Sequence, residues 1–149
     1  MKRGFWIGLL AAVLCLLCAC GKMTNLHFTN HVGERIDSLY IVPVESDVWG
    51  DPINPYFAIA NDSTVDISLA GLDEKPRLFD VGTIDINGRC CDVFDVPLVA
   101  GDSLDLGPEF EADGLSYVTL TVIHADQTEA SYVGYAYFES ELEEYLSGE

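Results

Sequence analysis

Segments in which apolar and polar residues alternate dominate the chain after its first 25 residues. The clearest is TVDISL at residues 64–69, where valine, isoleucine and leucine occupy every second position. Alternation of this kind gives a strand one apolar and one polar face, whereas a helix repeats its apolar residues about every 3.6 positions. Because no long helical repeat precedes the C-terminal residues, the sequence predicts an all-β domain.

Turn-forming residues separate the strand-like segments. The predicted strands are residues 26–29, 36–44, 64–69, 78–86, 89–96, 104–106, 117–122 and 130–138. Seven or eight short strands at this spacing indicate a small antiparallel β-sandwich, with a Greek-key or immunoglobulin-like strand order as one option.

The fourth predicted strand and the turn after it carry two local signals. The apolar residues of 78–86 change from odd to even positions around Gly82, and a β-bulge at this glycine would return both sets to the core. Asn87-Gly88 then favours a two-residue type I′ turn, because both residues tolerate a positive φ. We therefore expect a hairpin between the fourth and fifth strands.

Two adjacent cysteines, Cys90 and Cys91, follow this turn. Neighbouring side chains of a strand leave opposite faces, whereas a disulfide needs Cβ atoms about 3.8 Å apart. With a two-residue turn, Ile84 faces Cys91 and Asp85 faces Cys90. We expect two free thiols, with Cys91 on the core side beside Ile84 and Cys90 on the wetter side.

The chain opens with MKRGFWIGLLAAVLCLLCACGK. Its uninterrupted apolar run, from Phe5 to Ala19, is 15 residues long, and a membrane-spanning helix needs about 20. Lys2 and Arg3 precede the run, and the small Ala19 lies before a candidate cleavage point. These features indicate a secretory signal rather than a spanning helix.

The end of this run, Leu17-Cys18-Ala19-Cys20, resembles the lipobox of bacterial lipoproteins. The resemblance implies that the Cys20 thiol receives a diacylglyceryl group, that cleavage occurs before Cys20, and that the new amine is acylated. Several acyl chains anchor a protein stably, since each buried CH₂ contributes about 0.8 kcal/mol. By resemblance to enterobacterial lipoproteins, Gly21 implies the outer membrane. An ordinary secretory signal is the alternative.

These signals divide the chain into four parts. They are a signal peptide at 1–19, a lipidated cysteine and short tether at 20–25, a β-sandwich domain at 26–138 and an acidic tail at 139–149. The tether would reach about 17 Å at full extension, so the domain should lie close to its membrane. The tail holds five acidic residues; it forms a short exposed helix or, in the interpretation we favour, a solvated tail.

The mature chain is strongly acidic. Removing the signal peptide takes away Lys2 and Arg3, which leaves five basic side chains against 25 acidic ones, a formal charge of −20. Such a field repels phosphate groups, so we expect no nucleic-acid partner and no side-chain binding to an anionic bilayer. The lipid anchor would then make the membrane contact.

The most distinctive stretch of the mature part is SLYIVPVESDVWGDPINP. From Leu39 to Tyr56 it resembles a pattern of small uncharacterised bacterial secreted β domains, which implies a shared fold and no activity. Glu45, Asp47 and Asp51 surround Trp49, and together they could bind Ca²⁺ or present the indole to a sugar ring. In the alternative interpretation, which we favour, Trp49 plugs one end of the sandwich and the acids only solvate the loop.

No catalytic signature stands out in the mature part. We find no serine on a Gly-flanked elbow and no cysteine with supporting groups nearby. His27 and His31 would chelate a metal on a helix, but here His27 is predicted in a strand and His31 in a turn. We therefore expect a lipid-anchored, non-enzymatic binding or structural module whose partner is another envelope protein or a glycan. A metal-assisted hydrolase or carbohydrate-binding protein that uses the Trp49 loop is the alternative.

Overall fold

The computed structural model describes residues 23–147, and within them the chain forms eight β-strands and one α-helix. The elements are β1 (Leu26–Asn30), β2 (Ile36–Pro43), β3 (Ser63–Ile67), β4 (Arg77–Asp85), β5 (Arg89–Leu98), β6 (Asp102–Ala112), β7 (Leu115–Ile123), β8 (Glu129–Phe138) and α1 (Glu139–Ser147). The all-β prediction is confirmed, and each predicted strand coincides with an observed one apart from its ends.

All eight strands belong to one mixed sheet that curls into a half-barrel, in the order β2-β4-β5-β8-β7-β6-β1-β3. The expected two-sheet sandwich is not confirmed. Register shifts interrupt the pairs β2–β4, β4–β5 and β6–β7, and irregularities of this kind bend strands, so one sheet can wrap around its core. A backbone bridge between Ile36 and Ile59 links the edge strand β2 to the segment that leads into β3.

One strand pair departs from the expected antiparallel arrangement. β1 lies between β3 and β6, and it is antiparallel to β3 but parallel to β6. A parallel pair requires a long connection, and here the chain traverses β2 to β5 between the two strands. The strand order thus depends on distant segments that no local pattern identifies.

The core fills the concave side of the sheet. Phe28 of β1 and Phe79 of β4 are its largest fully buried side chains. Strands β2, β3, β5, β6 and β7 contribute buried aliphatic side chains, and β8 contributes the small Ala136. Val118, Leu120 and Val122 of β7 point into the core as their alternation predicts. The opposite, outer face is therefore left to polar and aromatic side chains.

The hairpin between β4 and β5 forms, but its register differs from the prediction by one residue. Cys90 pairs with Ile84 and Cys91 with Thr83, because three residues (86–88) connect the strands and Gly88 has φ 81°. A left-handed glycine is typical of three-residue hairpin loops. Cys91 is nevertheless buried and Cys90 half-buried, and both are free thiols.

The expected bulge at Gly82 is wrong. The register shift of this pair lies between Phe79 and Val81 of β4, opposite the left-handed Asp95 of β5. Gly82 itself pairs regularly with Asp92. The even-numbered Ile84 consequently stays on the outer face, and Thr83 takes the buried position.

The residues of the expected solvated tail form α1 through Ser147. Glu139 and Glu141 lie in its first turn, where carboxylates interact favourably with the helix dipole. Glu141 also accepts a 2.9 Å hydrogen bond from the backbone N–H of Phe138. Among residues 23–147, no helix has the length and apolar character needed to cross a membrane.

Candidate functional site

The segment between β2 and β3 carries Trp49 onto the outer face of the sheet. Asn54 anchors this segment, because its buried Oδ1 accepts a 2.7 Å hydrogen bond from Leu39 N and its Nδ2 donates to Phe57 O at 2.7 Å. Ile53 N donates to Leu39 O, also at 2.7 Å. A buried amide with satisfied partners holds its backbone firmly, so Asn54 fixes the place of Trp49 relative to β2.

The Trp49 indole lies directly on Gly82 of β4. A Cβ added to Gly82 would lie 3.1 Å from Cη2 and Cζ3 of the indole and 3.1 Å from Oδ1 of Asp92. Tyr40 and Phe94 flank the indole, with ring centroids 6.1 and 6.3 Å away. The missing side chain at Gly82 thus makes room for a small cluster of aromatic rings on the sheet.

A carboxylate and a phenol meet beside this cluster. The Tyr137 hydroxyl donates a 2.6 Å hydrogen bond to Oδ2 of Asp92. Burial raises the pKa of Asp92 and the charge of Asp80 adds to the rise, while the bond from Tyr137 acts in the opposite direction. Burial, followed by the bond to Asp92, raises the pKa of Tyr137. Asp92 is therefore a partly desolvated carboxyl group that forms no ion pair within residues 23–147.

These groups border a cavity of about 290 Å³, hereafter the outer pocket. Its lining residues are Tyr40, Trp49, Gly50, Gly82, Thr83, Ile84, Cys90, Asp92, Tyr137, Glu139 and Leu142. Four strands (β2, β4, β5 and β8), the segment that carries Trp49 and the start of α1 contribute to it. The lining contains aromatic rings and two carboxylates, and none of these residues is lysine, arginine or histidine.

The outer pocket continues into an aromatic row that crosses the sheet. Register pairs join Tyr40, Gly82, Asp92, Tyr135, Tyr117 and Phe110 in adjacent strands. The rings of Tyr117 and Tyr135, and those of Phe110 and Tyr117, have centroids 5.6 Å apart. Cross-strand ring pairs stabilise a sheet, but Tyr135 remains 53% exposed. Tyr135, Tyr117 and Phe110 therefore form a partly exposed group of packed rings beside Asp92.

The residues predicted from the acidic loop do not converge on one site. Trp49 lines the outer pocket instead of plugging the end of the core, whereas Asp47 and Asp51 are exposed and do not line it. Glu45 accepts a 2.8 Å hydrogen bond from Arg77. Within residues 23–147, no group of three or more His, Cys, Asp and Glu side chains is placed to hold a metal ion. Cys20 lies outside the described residues.

The three described histidines each contact an aspartate through Nδ1. The pairs are His27–Asp66 at 2.7 Å, His31–Asp105 at 2.7 Å and His124–Asp102 at 2.8 Å. His27 lies in β1 and His31 in the loop after it, as predicted. Because a different carboxylate holds each ring, the fold does not bring His27 and His31 to a common ligand.

Sequence reasoning missed Tyr40, Asp92 and Tyr137 as parts of a site. Alternation does show that each lies opposite the core-facing residues of its strand. It does not show that β8 pairs with β5, which is the contact that brings Tyr137 to Asp92. The glycine at the phase change of β4 was the available signal, since a strand glycine often marks a close approach by another group.

Comparisons of the chain with protein-family models, curated proteins and solved structures find no match. The function of the outer pocket is accordingly inferred from its own geometry and chemistry.

Proposed function

We propose that the chain is a lipid-anchored lipoprotein of the bacterial cell envelope and that its β domain is a non-enzymatic binding module. The outer pocket binds another component of the envelope. The single observation that supports this most is a partly desolvated carboxyl group, Asp92, beside aromatic rings that border a cavity of about 290 Å³. Aromatic walls with a few convergent polar groups are typical of ligand sites.

The anchor and the outer pocket lie on different parts of the sheet in this proposal. The lipidated Cys20 would precede β1 by a short tether. In the sheet, β8, β7 and β6 separate β1 from β4 and β5, which carry the centre of the outer pocket. In sheet order, β1 is therefore not a neighbour of the pocket-bearing strands β4 and β5.

Recognition accounts for the chemistry of the outer pocket better than catalysis does. A cysteine attacks as its thiolate, but burial, with the charges of Asp92, Glu139 and Asp85, raises the pKa of Cys90. Burial also raises the pKa of Cys91 to about 12. Both thiols thus remain protonated near neutral pH, so neither is an activated nucleophile.

Metabolic labelling with palmitate tests the anchor. We expect the wild-type protein to carry the label and Cys20→Ala to lose it, because the acyl chains attach at this residue. Cys18→Ala is the matched control and should keep its label. Equal labelling of wild type and Cys20→Ala would contradict the anchor.

Protection of Cys90 tests occupancy of the outer pocket without assuming a ligand. A bound component should slow alkylation of Cys90 by iodoacetamide in intact envelopes relative to the purified, acylated protein. A Ser68→Cys, Cys90→Ser double variant reports the general effect of the envelope on an exposed thiol far from the pocket. If envelopes slow both thiols by the same factor, the outer pocket is empty and the binding proposal fails.

A further inference from the structure

We infer that the outer pocket binds an alkylammonium group, the cationic end of a small amine or of a choline-like compound. This inference rests on the proposed binding function and specifies its ligand class. It follows from three properties of the pocket: unneutralised carboxylates, aromatic walls and a volume that suits an organic group.

In the part of the chain that the structure describes, no cationic side chain neutralises the carboxylates of the outer pocket. Asp92 receives only the hydroxyl of Tyr137, and the lining holds no basic side chain beside Glu139. The three arginines of residues 23–147 are already engaged with carboxylates elsewhere. The pairs are Arg35–Asp37, Arg77–Glu45 and Arg89–Glu109. The remaining basic residue of this range, Lys75, is exposed in the connection between β3 and β4 and does not line the outer pocket. None of the described lysine and arginine side chains therefore neutralises these carboxylates, and a ligand cation could do so.

The negative charges of the outer pocket also raise the pKa values of two neighbouring groups. The charges of Asp92 and Glu139 both contribute to the raised pKa of Cys90, after burial. They also contribute to the raised pKa of Tyr137. A bound ammonium group would offset this negative charge, because a nearby positive charge stabilises the ionised form of a carboxylate.

The aromatic walls select an organic cation over a metal ion. Tyr40, Trp49 and Tyr137 all line the outer pocket, and aromatic rings attract alkylammonium groups. Calcium, in contrast, takes about six to eight oxygen ligands, and the lining offers the carboxylates of Asp92 and Glu139 with few other oxygens. The volume of about 290 Å³ also exceeds that of a single metal ion and suits a small organic group.

A titration with choline tests the inference on the acylated protein in non-ionic detergent. After removal of the signal peptide Trp49 is the sole tryptophan, since the other is Trp6, so its fluorescence reports the outer pocket directly. We expect choline to change this fluorescence and to bind at least about tenfold more tightly than 3,3-dimethylbutanol, its neutral isostere. Equal affinity for the two compounds would overturn the inference, because charge would then make no contribution.

Two substitutions test the carboxylates. Asp92→Asn and Glu139→Gln remove one charge each with little change of shape, and we expect each to weaken choline binding, Asp92→Asn by about tenfold. Glu139 is exposed on α1, so its variant should fold even if Asp92→Asn does not. Asp113→Asn is the control, because it makes the same charge change in a β-turn where Asn-Gly is equally suitable. A loss of affinity as large in Asp113→Asn as in the pocket variants would overturn the inference.

Two further arms identify the source of the ammonium group. Cadaverine tests a free primary amine, and nanodiscs of phosphatidylglycerol with or without phosphatidylcholine test a lipid headgroup. If no ammonium probe binds while Cys90 remains protected in envelopes, the ligand class is wrong and the binding function stands. If neither effect is observed, both proposals fail.

Discussion

The indole of Trp49 lies on Gly82 so closely that a single added methyl group would contact its ring at 3.1 Å. The indole or Asp92 must give way by a few tenths of an ångström to admit this methyl group. We therefore expect Gly82→Ala to displace the indole slightly and to destabilise the protein by about 1 kcal/mol, the low end of the scale of overpacking. Urea unfolding measures the loss, and a red shift of the Trp49 emission would report the displaced ring.

A double-mutant cycle isolates this contact. In a Trp49→Ala background the ring is gone, and alanine has a better intrinsic preference for a strand than glycine. In this background Gly82→Ala should reduce the free energy of unfolding by less than it does in the wild type, because the added methyl group contacts only Asp92. Equal costs in the two backgrounds would show that Trp49 does not pack on Gly82.

Gly134 of β8 tolerates an added side chain even less well than Gly82. A Cβ at Gly134 would overlap the carbonyl oxygen of Asp92 and lie 2.7 Å from Cγ2 of Val93. Backbone cannot move aside as a side chain can, so we expect Gly134→Ala to cost about 3 kcal/mol or to prevent folding. Thermal unfolding of Gly134→Ala and Gly82→Ala, measured side by side, shows which substitution causes the larger loss of stability. A smaller loss for Gly134→Ala than for Gly82→Ala would contradict the close pairing of β5 and β8.

The raised pKa of Asp92 predicts a specific pH dependence of stability. A group whose pKa is higher in the folded state contributes stability below its unfolded pKa and loses it as pH rises through the folded value. The ordinary value is 3.8. We expect Asp92→Asn to gain stability relative to wild type as the pH rises above about 4 and through the raised folded-state value.

The groups that face Asp92 do not reverse this sign. Asp80 of β4 raises its pKa, and the bond from Tyr137 of β8 lowers it by less than burial raises it. Cys90 and Glu139 line the same cavity. Denaturant midpoints of wild type, Asp92→Asn and the control Asp113→Asn, taken across this range, make the comparison. A difference between wild type and Asp92→Asn that is constant with pH would rule out the raised pKa.

The eight strands could be predicted from the sequence because each is a local property. Alternation in 64–69 and 117–122 depends only on neighbouring residues and on the two-residue repeat of a strand. The order of the strands in the sheet, in contrast, is not determined by neighbouring residues in the sequence. β8 inserts between β5 and β7, and this choice depends on contacts that include the close approach at Gly134.

The outer pocket could be predicted only in part. The phase change at Gly82 and the conspicuous Trp49 were both visible in the sequence, but nothing local shows that one packs on the other. The hairpin register was wrong by one residue because Gly88 extends the connection to three residues. The bulge expected at Gly82 placed Ile84 in the core, whereas Ile84 lies on the outer face and lines the outer pocket.

The two thiols should react in a fixed order. In the non-reduced β domain we expect slow labelling of Cys90, which is half-buried, and labelling of Cys91 only after unfolding, because burial raises the pKa of Cys91 to about 12. Titration with a thiol reagent, before and after addition of denaturant, counts the sulfurs. Two thiols that appear in denaturant only after reduction would indicate a disulfide between them.

The most direct test of the central claim is site-specific photo-crosslinking in cells that produce the full-length chain. A benzophenone amino acid at Leu142, on the rim of the outer pocket and 44% exposed, should attach to the bound component and add a discrete mass to the protein. The same group at Ser68, exposed just after β3, should add none. A mass adduct at Leu142 that disappears in Asp92→Asn is the predicted result, whereas no adduct at Leu142, or the same adduct at both positions, would contradict binding at the outer pocket.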